Sequence, residues 1–129
     1  MRLKTALSAF AVTSTIICAE FLIRPGFWIR LYGATADAQA MFLYRLIAAL
    51  FGGLAVMAWL GRSYSASPSR EAMVRGLTVA NGFLAVIAVS GALSGVYNYF
   101  AWGPACLFLF FTIAFARTAS ASGPLRAGA

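Results

Sequence analysis

Glu20 and Arg45 are the residues of this chain best placed to do chemistry together. Glu20 is the one acidic residue inside a long apolar stretch, and Arg45 lies early in the next stretch. An isolated charge is costly in hydrocarbon, so we expect the two to pair. Tyr44, Ser94 and Asn98 fall at the same predicted level. The sequence therefore predicts a polar cluster of these five residues, which is either a small binding cavity or docking site, or an ion pair that only fixes helix packing.

Most other chemistry is missing from the sequence. The chain has no histidine, which is the commonest metal ligand and general base. Cys18 and Cys106 both lie in apolar stretches, where a thiol is a poor nucleophile, and we expect no disulfide between them. No phosphate-binding loop or nucleophile motif is present. We therefore predict no catalytic residue, no metal site and no enzyme activity. No cofactor is predicted, although a quinone, lipid or carotenoid can bind an apolar groove without a motif.

The elements that must position the polar cluster are four apolar runs, at residues 3–23, 41–60, 73–95 and 97–116. Hydrophobic residues make up 62% of the 129 residues and charged residues only 10%, whereas soluble domains carry about 25% charged residues. Each run has about the 20 residues that cross a ~30 Å hydrocarbon core as a helix. The prediction is an all-α polytopic membrane protein. It is an antiparallel bundle of four transmembrane helices in a single domain, residues 1–129, with a flexible tail at 118–129.

The segments between the runs carry signals for helix ends. Pro25 ends the first span, and the aromatic-rich residues after it predict a short segment at the membrane interface. Thr35 or Asp37 is expected to cap the second span, and Ser67 to cap the third. The third and fourth runs meet at Gly95-Val96 with almost no connection between them, which predicts a tight hairpin. Pro104, inside the fourth run, predicts a kink.

Small residues predict where helices approach one another closely in lipid. Gly52 and Gly53 in the second span, and Gly91 and Gly95 in the third, are expected to lie at helix–helix contacts. Asn81 is expected to form a hydrogen bond to a neighbouring helix.

Bulky residues in the fourth span predict a different surface. Phe108, Phe111 and Phe115 are expected to face lipid or a partner protein. Such a face on a chain without catalytic groups favours an accessory or assembly subunit of a larger membrane complex, of the respiratory or photosynthetic type.

The cationic residues predict the orientation, because arginine and lysine favour cytoplasmic loops. With both termini in the cytoplasm, three cations lie outside: Arg24, Arg30 and Arg45. Seven then lie inside: Arg2, Lys4, Arg62, Arg70, Arg75, Arg117 and Arg126. The net charge of +7 is thus explained by topology and by attraction to anionic lipid headgroups. It predicts membrane lipids as partners and no nucleic-acid binding.

Two family resemblances follow from these residues. The stretch Pro25-Gly26-Phe27, Leu31-Tyr32-Gly33, Tyr44-Arg45-Leu46 and Gly52-Gly53 resembles small bacterial four-helix membrane proteins of the DoxX-like kind. This resemblance covers about the first half of the chain and implies a bacterial inner-membrane bundle.

A glutamate in the first of four spans is also similar to the small multidrug transporters, although Glu20 lies near the end of its span. That similarity implies the alternative function, a small-molecule carrier or binder that uses Glu20 and Arg45.

Overall fold

The computed structural model describes residues 2–121, and the regular structure in this part of the chain is α-helix, with one 3₁₀ turn. The helices are α1 (Leu3–Ile23), α2 (Pro25–Leu31), α3 (Ala38–Gly61), α4 (Pro68–Leu93) and α5 (Trp102–Ala121), with the 3₁₀ turn at Tyr99–Ala101. Three of these helices, α1, α3 and α4, and the segment Tyr99–Ala119 are long and apolar enough to cross a membrane. The all-α polytopic bundle predicted from the sequence is confirmed.

Side-chain caps begin two of the long helices where the sequence predicted them. Asp37 accepts a hydrogen bond from the backbone N–H of Ala40 at 2.7 Å, and Ser67 accepts one from Arg70 at 3.3 Å. These caps satisfy backbone donors that have no partner inside the helix. α3 and α4 therefore begin a few residues before their apolar runs, because each helix begins directly after its capping residue.

The connection between α4 and α5 differs from the predicted tight hairpin. α4 ends at Leu93 and α5 begins only at Trp102, so residues 94–101 connect them, and Gly95 turns the chain with a positive φ of 73°.

Pro104 lies in the first turn of α5, where a missing N–H removes no hydrogen bond from within the helix. The predicted kink inside the fourth span is therefore wrong.

The first part of the predicted tail also differs. α5 continues through Ala121, so residues 118–121 are helical rather than flexible. The rest of that prediction, together with Arg126, falls outside the described residues.

The four long helices pack as two pairs, α1 against α3 and α4 against α5, and the pairs meet where α1 contacts α5. All four contribute to one buried cluster, which we call the closed end. Its members are Ala6, Leu7, Phe10, Ala11, Ala58, Val74, Leu77, Phe111 and Phe115. A smaller cluster of Phe51, Ala85 and Phe108 follows along the bundle. Beyond it lies the open end, where α1 and α4 finish and α3 and α5 begin.

The three phenylalanines of α5 are part of the protein core. Phe108, Phe111 and Phe115 are all buried, so their prediction as a lipid or partner face is wrong. Their spacing of three and four residues places them on one helix face. The exposed face of α5 carries Leu109 and Phe110 instead.

Of the four glycines predicted at helix contacts, one has that role. A Cβ added at Gly52 would lie 3.1 Å from the Cys18 sulfur, which confirms close approach of α3 and α1. An added Cβ at Gly53 would meet nothing within 4 Å. Gly91 lies against the ring of Tyr97, and Gly95 serves the turn. The predictions for Gly53, Gly91 and Gly95 are therefore wrong.

Asn81 is buried, but it does not bridge helices. Its amide donates to the carbonyl of Leu77 in its own helix at 2.8 Å. The carbonyl oxygen of its side chain has no hydrogen-bond partner among the described residues. The expected hydrogen bond to a neighbouring helix is wrong.

Candidate binding cavity

A cavity of about 420 Å³ lies between the two helix pairs at the open end. Apolar side chains from each long helix form its wall, among them Ile17, Leu84 and Leu107. The rings of Phe51 and Phe108 stack with their centroids 5.9 Å apart and separate the cavity from the closed end. Its volume is within the range of roughly 300–1,000 Å³ that is typical of small-molecule sites.

Aromatic side chains with polar ends line the other side of the cavity. Trp28 comes from α2, Tyr32 follows α2, Tyr44 comes from α3, and Tyr97 precedes the 3₁₀ turn. The rings of Trp28 and Tyr32 are 6.3 Å apart, and those of Tyr32 and Tyr97 are 5.9 Å apart. The cavity therefore has an apolar body and one aromatic end with hydrogen-bonding groups.

The end of α2 gives this aromatic group its position. Gly33 has a positive φ of 84° and donates its N–H to the carbonyl of Arg30 at 2.9 Å. Ala34 donates to Ile29 at 3.1 Å, which completes the pair of hydrogen bonds typical of a glycine helix terminus. Tyr32 is thereby held at the end of a short, fixed helix.

Asn98 joins the two connections of the open end. Its side-chain amide donates to the carbonyl oxygen of Leu31 at 2.8 Å, and its backbone N–H donates to the carbonyl oxygen of Tyr32 at 3.0 Å. Its side-chain oxygen accepts from the N–H of Phe100 at 3.1 Å. Because Tyr97 directly precedes Asn98, these bonds hold Tyr97 beside Tyr32.

Glu20 contributes to the cavity wall, but its ion-pair partner is not Arg45. The Arg24 guanidinium donates to Glu20 Oε1 at 2.6 Å, and the Trp28 indole donates to Oε2 at 3.1 Å. Arg45 is exposed and has no ion pair among residues 2–121. The predicted Glu20–Arg45 pair is therefore wrong. Arg24 lies one helical turn from Glu20, so the carboxylate forms its ion pair within its own part of the chain and needs no partner from α3.

Of the other predicted members of the cluster, two lie at or beside the cavity and one does not. Tyr44 lines the cavity, and Asn98 joins the connections beside it through its hydrogen bond to Leu31. Ser94 is exposed and donates to the carbonyl of Gly91 in its own helix, at 3.3 Å. The predicted cluster omitted Trp28 and Tyr32. Their aromatic segment had indicated a membrane interface, but nothing in the sequence showed that it folds back over the cavity.

The chemistry available in the cavity is hydrogen bonding. Burial and the nearby Tyr97 raise the pKa of Tyr32 above its ordinary value, so its hydroxyl keeps its proton at neutral pH and can donate it to a hydrogen bond. Within residues 2–121, no three His, Cys, Asp or Glu side chains lie close enough to hold a metal ion.

Comparison of this chain with protein-family models, with curated proteins and with solved structures finds no match. The function of the cavity must therefore be inferred from its own residues.

Proposed function

We propose that this multi-pass membrane protein binds an elongated apolar small molecule in the open-end cavity. The observation that carries the proposal is the cavity of about 420 Å³ itself, with apolar walls and an aromatic, hydrogen-bonding end. Natural sites for small molecules have this composition: mostly apolar walls and a few polar groups that fix orientation. The closed end, which the same four helices build, is filled by side chains.

Binding of a small molecule was the alternative function predicted from the sequence, with Glu20 and Arg45 as its residues. The residues proposed for binding are now different. Arg45 has no part in the site, because it does not line the cavity. Glu20 positions the Trp28 indole through its hydrogen bond, and Arg24 balances its charge. The residues that contact the ligand are instead Trp28, the three tyrosines and the apolar wall.

The remaining expectations about function and location stay proposals. Both termini in the cytoplasm of a bacterium would place the closed end inside and the cavity in the outer half of the membrane. The role of accessory subunit and the absence of enzyme activity also stay predictions. The phenylalanine face that motivated the accessory role is buried, so no described feature favours it over ligand binding.

A test of binding can use Trp28 as a local reporter. The chain has three tryptophans, and the variant Trp59→Phe/Trp102→Phe leaves Trp28 alone. The protein is placed in lipid nanodiscs and titrated with a dodecyl chain that carries a terminal bromine, which quenches tryptophan fluorescence on contact. We expect quenching that saturates at a low mole fraction of the probe in the lipid.

Two alanine variants separate the cavity from the lipid-facing surface. Ala88→Phe adds a ring to the cavity wall, whereas Ala49→Phe adds the same ring to an exposed position of α3. We expect Ala88→Phe to raise the half-saturating mole fraction by about tenfold, which corresponds to ~1.4 kcal/mol of binding free energy. Ala49→Phe should leave it unchanged. Quenching that rises linearly and equally in all three proteins would show that bulk lipid fills the cavity, and the proposal would be wrong.

A further inference from the structure

We infer that the ligand carries a neutral hydrogen-bonding head, a carbonyl or a hydroxyl group, which is held by the phenols of Tyr32, Tyr44 and Tyr97. This inference rests on the proposed function and names the chemical class of the ligand. It follows from three features of the cavity: the supply of hydroxyl groups, the balance of charge and the distance from the hydroxyls to the far wall.

The three phenols supply more hydrogen-bonding capacity than the protein uses. All three side chains line the cavity, and those of Tyr44 and Tyr97 are neighbours there. Within the described part of the chain, the three hydroxyls form no hydrogen bond to any group other than one another. A hydrogen bond between two phenols uses one O–H as donor, so at least two O–H donors of the three remain for a ligand.

An unused donor at an apolar cavity favours a ligand that accepts a hydrogen bond. A buried polar group without a partner loses roughly 1–3 kcal/mol of solvation free energy. A hydrocarbon alone would cover the hydroxyls and leave them without partners. A carbonyl or hydroxyl oxygen at this end accepts one or two of the free O–H groups, so it fits better than a hydrocarbon.

The balance of charge indicates that this head is neutral. Glu20 is the one ionised side chain among the residues that line the cavity. Its carboxylate is already bound by Arg24 and Trp28. An anionic head would face this carboxylate with no cation on the wall, and a cationic head would have to displace Arg24. A neutral head avoids both costs.

The shape of the cavity separates the head from an apolar tail. Tyr44 and Phe51 both line it and lie on α3, seven residues apart in the sequence. At 1.5 Å rise per residue this separation is about 10 Å. A ligand with its head at Tyr44 therefore has room for an apolar chain or ring system of about that length, ending near the stacked rings of Phe51 and Phe108.

The test compares heads on one tail, with the same Trp28-only protein in nanodiscs. Four dodecyl probes carry the same bromine in the first half of the chain, near Trp28 when the head lies at the tyrosines, and differ at the first carbon: a plain alkane, a methyl ketone, a carboxylate and a trimethylammonium. The variants are Tyr44→Phe and Tyr97→Phe. Tyr99→Phe is the matched control, because Tyr99 is exposed, stacks on Phe100 and does not line the cavity.

We expect the ketone to bind more tightly than the alkane by about fivefold, the effect of one net hydrogen bond. Tyr44→Phe or Tyr97→Phe should remove this advantage and leave alkane binding unchanged. Tyr99→Phe should change neither. Since a phenylalanine keeps the ring, loss of ketone binding with retained alkane binding also shows that the variant is folded.

Other outcomes overturn the inference in distinct ways. Equal binding of ketone and alkane would contradict the head group and leave the proposed function standing. Tightest binding of the trimethylammonium, lost in Glu20→Gln, would assign the site to a cation. Tightest binding of the carboxylate would assign it to an anion. Saturable quenching by none of the four probes would contradict the proposed function as well.

Discussion

The two ends of this bundle are built from the same four helices and differ in what fills the space between them. At the closed end, Leu7, Phe10, Leu77 and Phe115 are almost fully buried against one another. At the open end, the corresponding space is a cavity of about 420 Å³ with four polar-ended aromatic side chains at one side. Apolar side chains from every long helix also line the cavity, so the presence of apolar residues does not decide which end packs tightly.

Helix packing in lipid explains the difference. Separated helices remain in hydrocarbon, so association depends on close packing and on hydrogen bonds rather than on removal of apolar surface from water. Ala6, Ala11 and Ala58 keep the helices of the closed end near one another, and the phenylalanine rings fill what remains. At the open end, the helix pairs are joined through their connecting segments instead, by the hydrogen bond of Asn98 to Leu31 and the ring contact of Tyr32 with Tyr97. These contacts leave space between the helix pairs.

The largest expected effect is at the centre of the closed end. The Phe10 ring meets those of Phe111 and Phe115 edge-on, with centroids 5.1 and 5.5 Å apart. Phe10→Ala should lower the free energy of unfolding by about 2–3 kcal/mol, from the void left behind and the lost ring contacts. Phe21→Ala, at the open end, should cost only about 1 kcal/mol, because Phe21 is half-buried. Unfolding in mixed micelles measures both. Equal losses would mean that the two ends are packed alike.

A second comparison uses one helix and one substitution. Ala85 belongs to the cluster with Phe51 and Phe108, while Ala88 lines the cavity. Ala85→Phe should destabilise the protein by about 1–3 kcal/mol through overpacking. Ala88→Phe should cost less than about 1 kcal/mol, because the new ring enters existing space. The same unfolding titration compares them, and a larger loss for Ala88→Phe would contradict the open cavity.

Substitutions at two neighbouring glycines of α3 test which face of this helix contacts α1. A leucine at Gly52 must displace the Cys18 side chain, whereas a leucine at Gly53 enters open surroundings. We expect Gly52→Leu to lose about 1–2 kcal/mol of stability. Gly53→Leu should be neutral or gain up to about 1 kcal/mol from helix propensity. Thermal unfolding of the two variants in nanodiscs gives the order, and a reversed order would place the contact on the other face of α3.

The smallest effect separates the connections at the two ends. Asn98→Ala and Ser67→Ala each remove a capping side chain and should each cost about 1 kcal/mol of stability. Only Asn98→Ala should also weaken quenching of Trp28 by the dodecyl probe, because Asn98 holds Tyr32 and Tyr97 together. If both variants weaken quenching alike, the hydrogen bonds of Asn98 do not shape the cavity.

Local signals in the sequence predicted most of the fold. The bounds of α1, the caps at Asp37 and Ser67, and four membrane-spanning segments all follow from the order of apolar and polar residues. The errors concern which face of a helix meets which neighbour. Phe108, Phe111 and Phe115 looked like a lipid-facing surface because lipid and a membrane protein core are equally apolar, so composition cannot distinguish them.

The candidate site was predicted only in part. Tyr44 and Asn98 were placed at the correct level, because depth follows from residue number along a helix. Pairing across helices did not follow, since it depends on helix rotation as well as depth. Glu20 pairs with Arg24, four residues later in the chain, and Arg45 is exposed.

The order of residues by itself determined that this chain forms helices suited to lipid and where most of them begin and end. These properties depend on neighbours within a few residues, through hydropathy, caps and helix-breaking residues. Tertiary structure alone decided that four apolar helices close at one end and open around a cavity at the other. That outcome depends on helix rotation and on one asparagine, Asn98, which reaches a carbonyl 67 residues away in the chain.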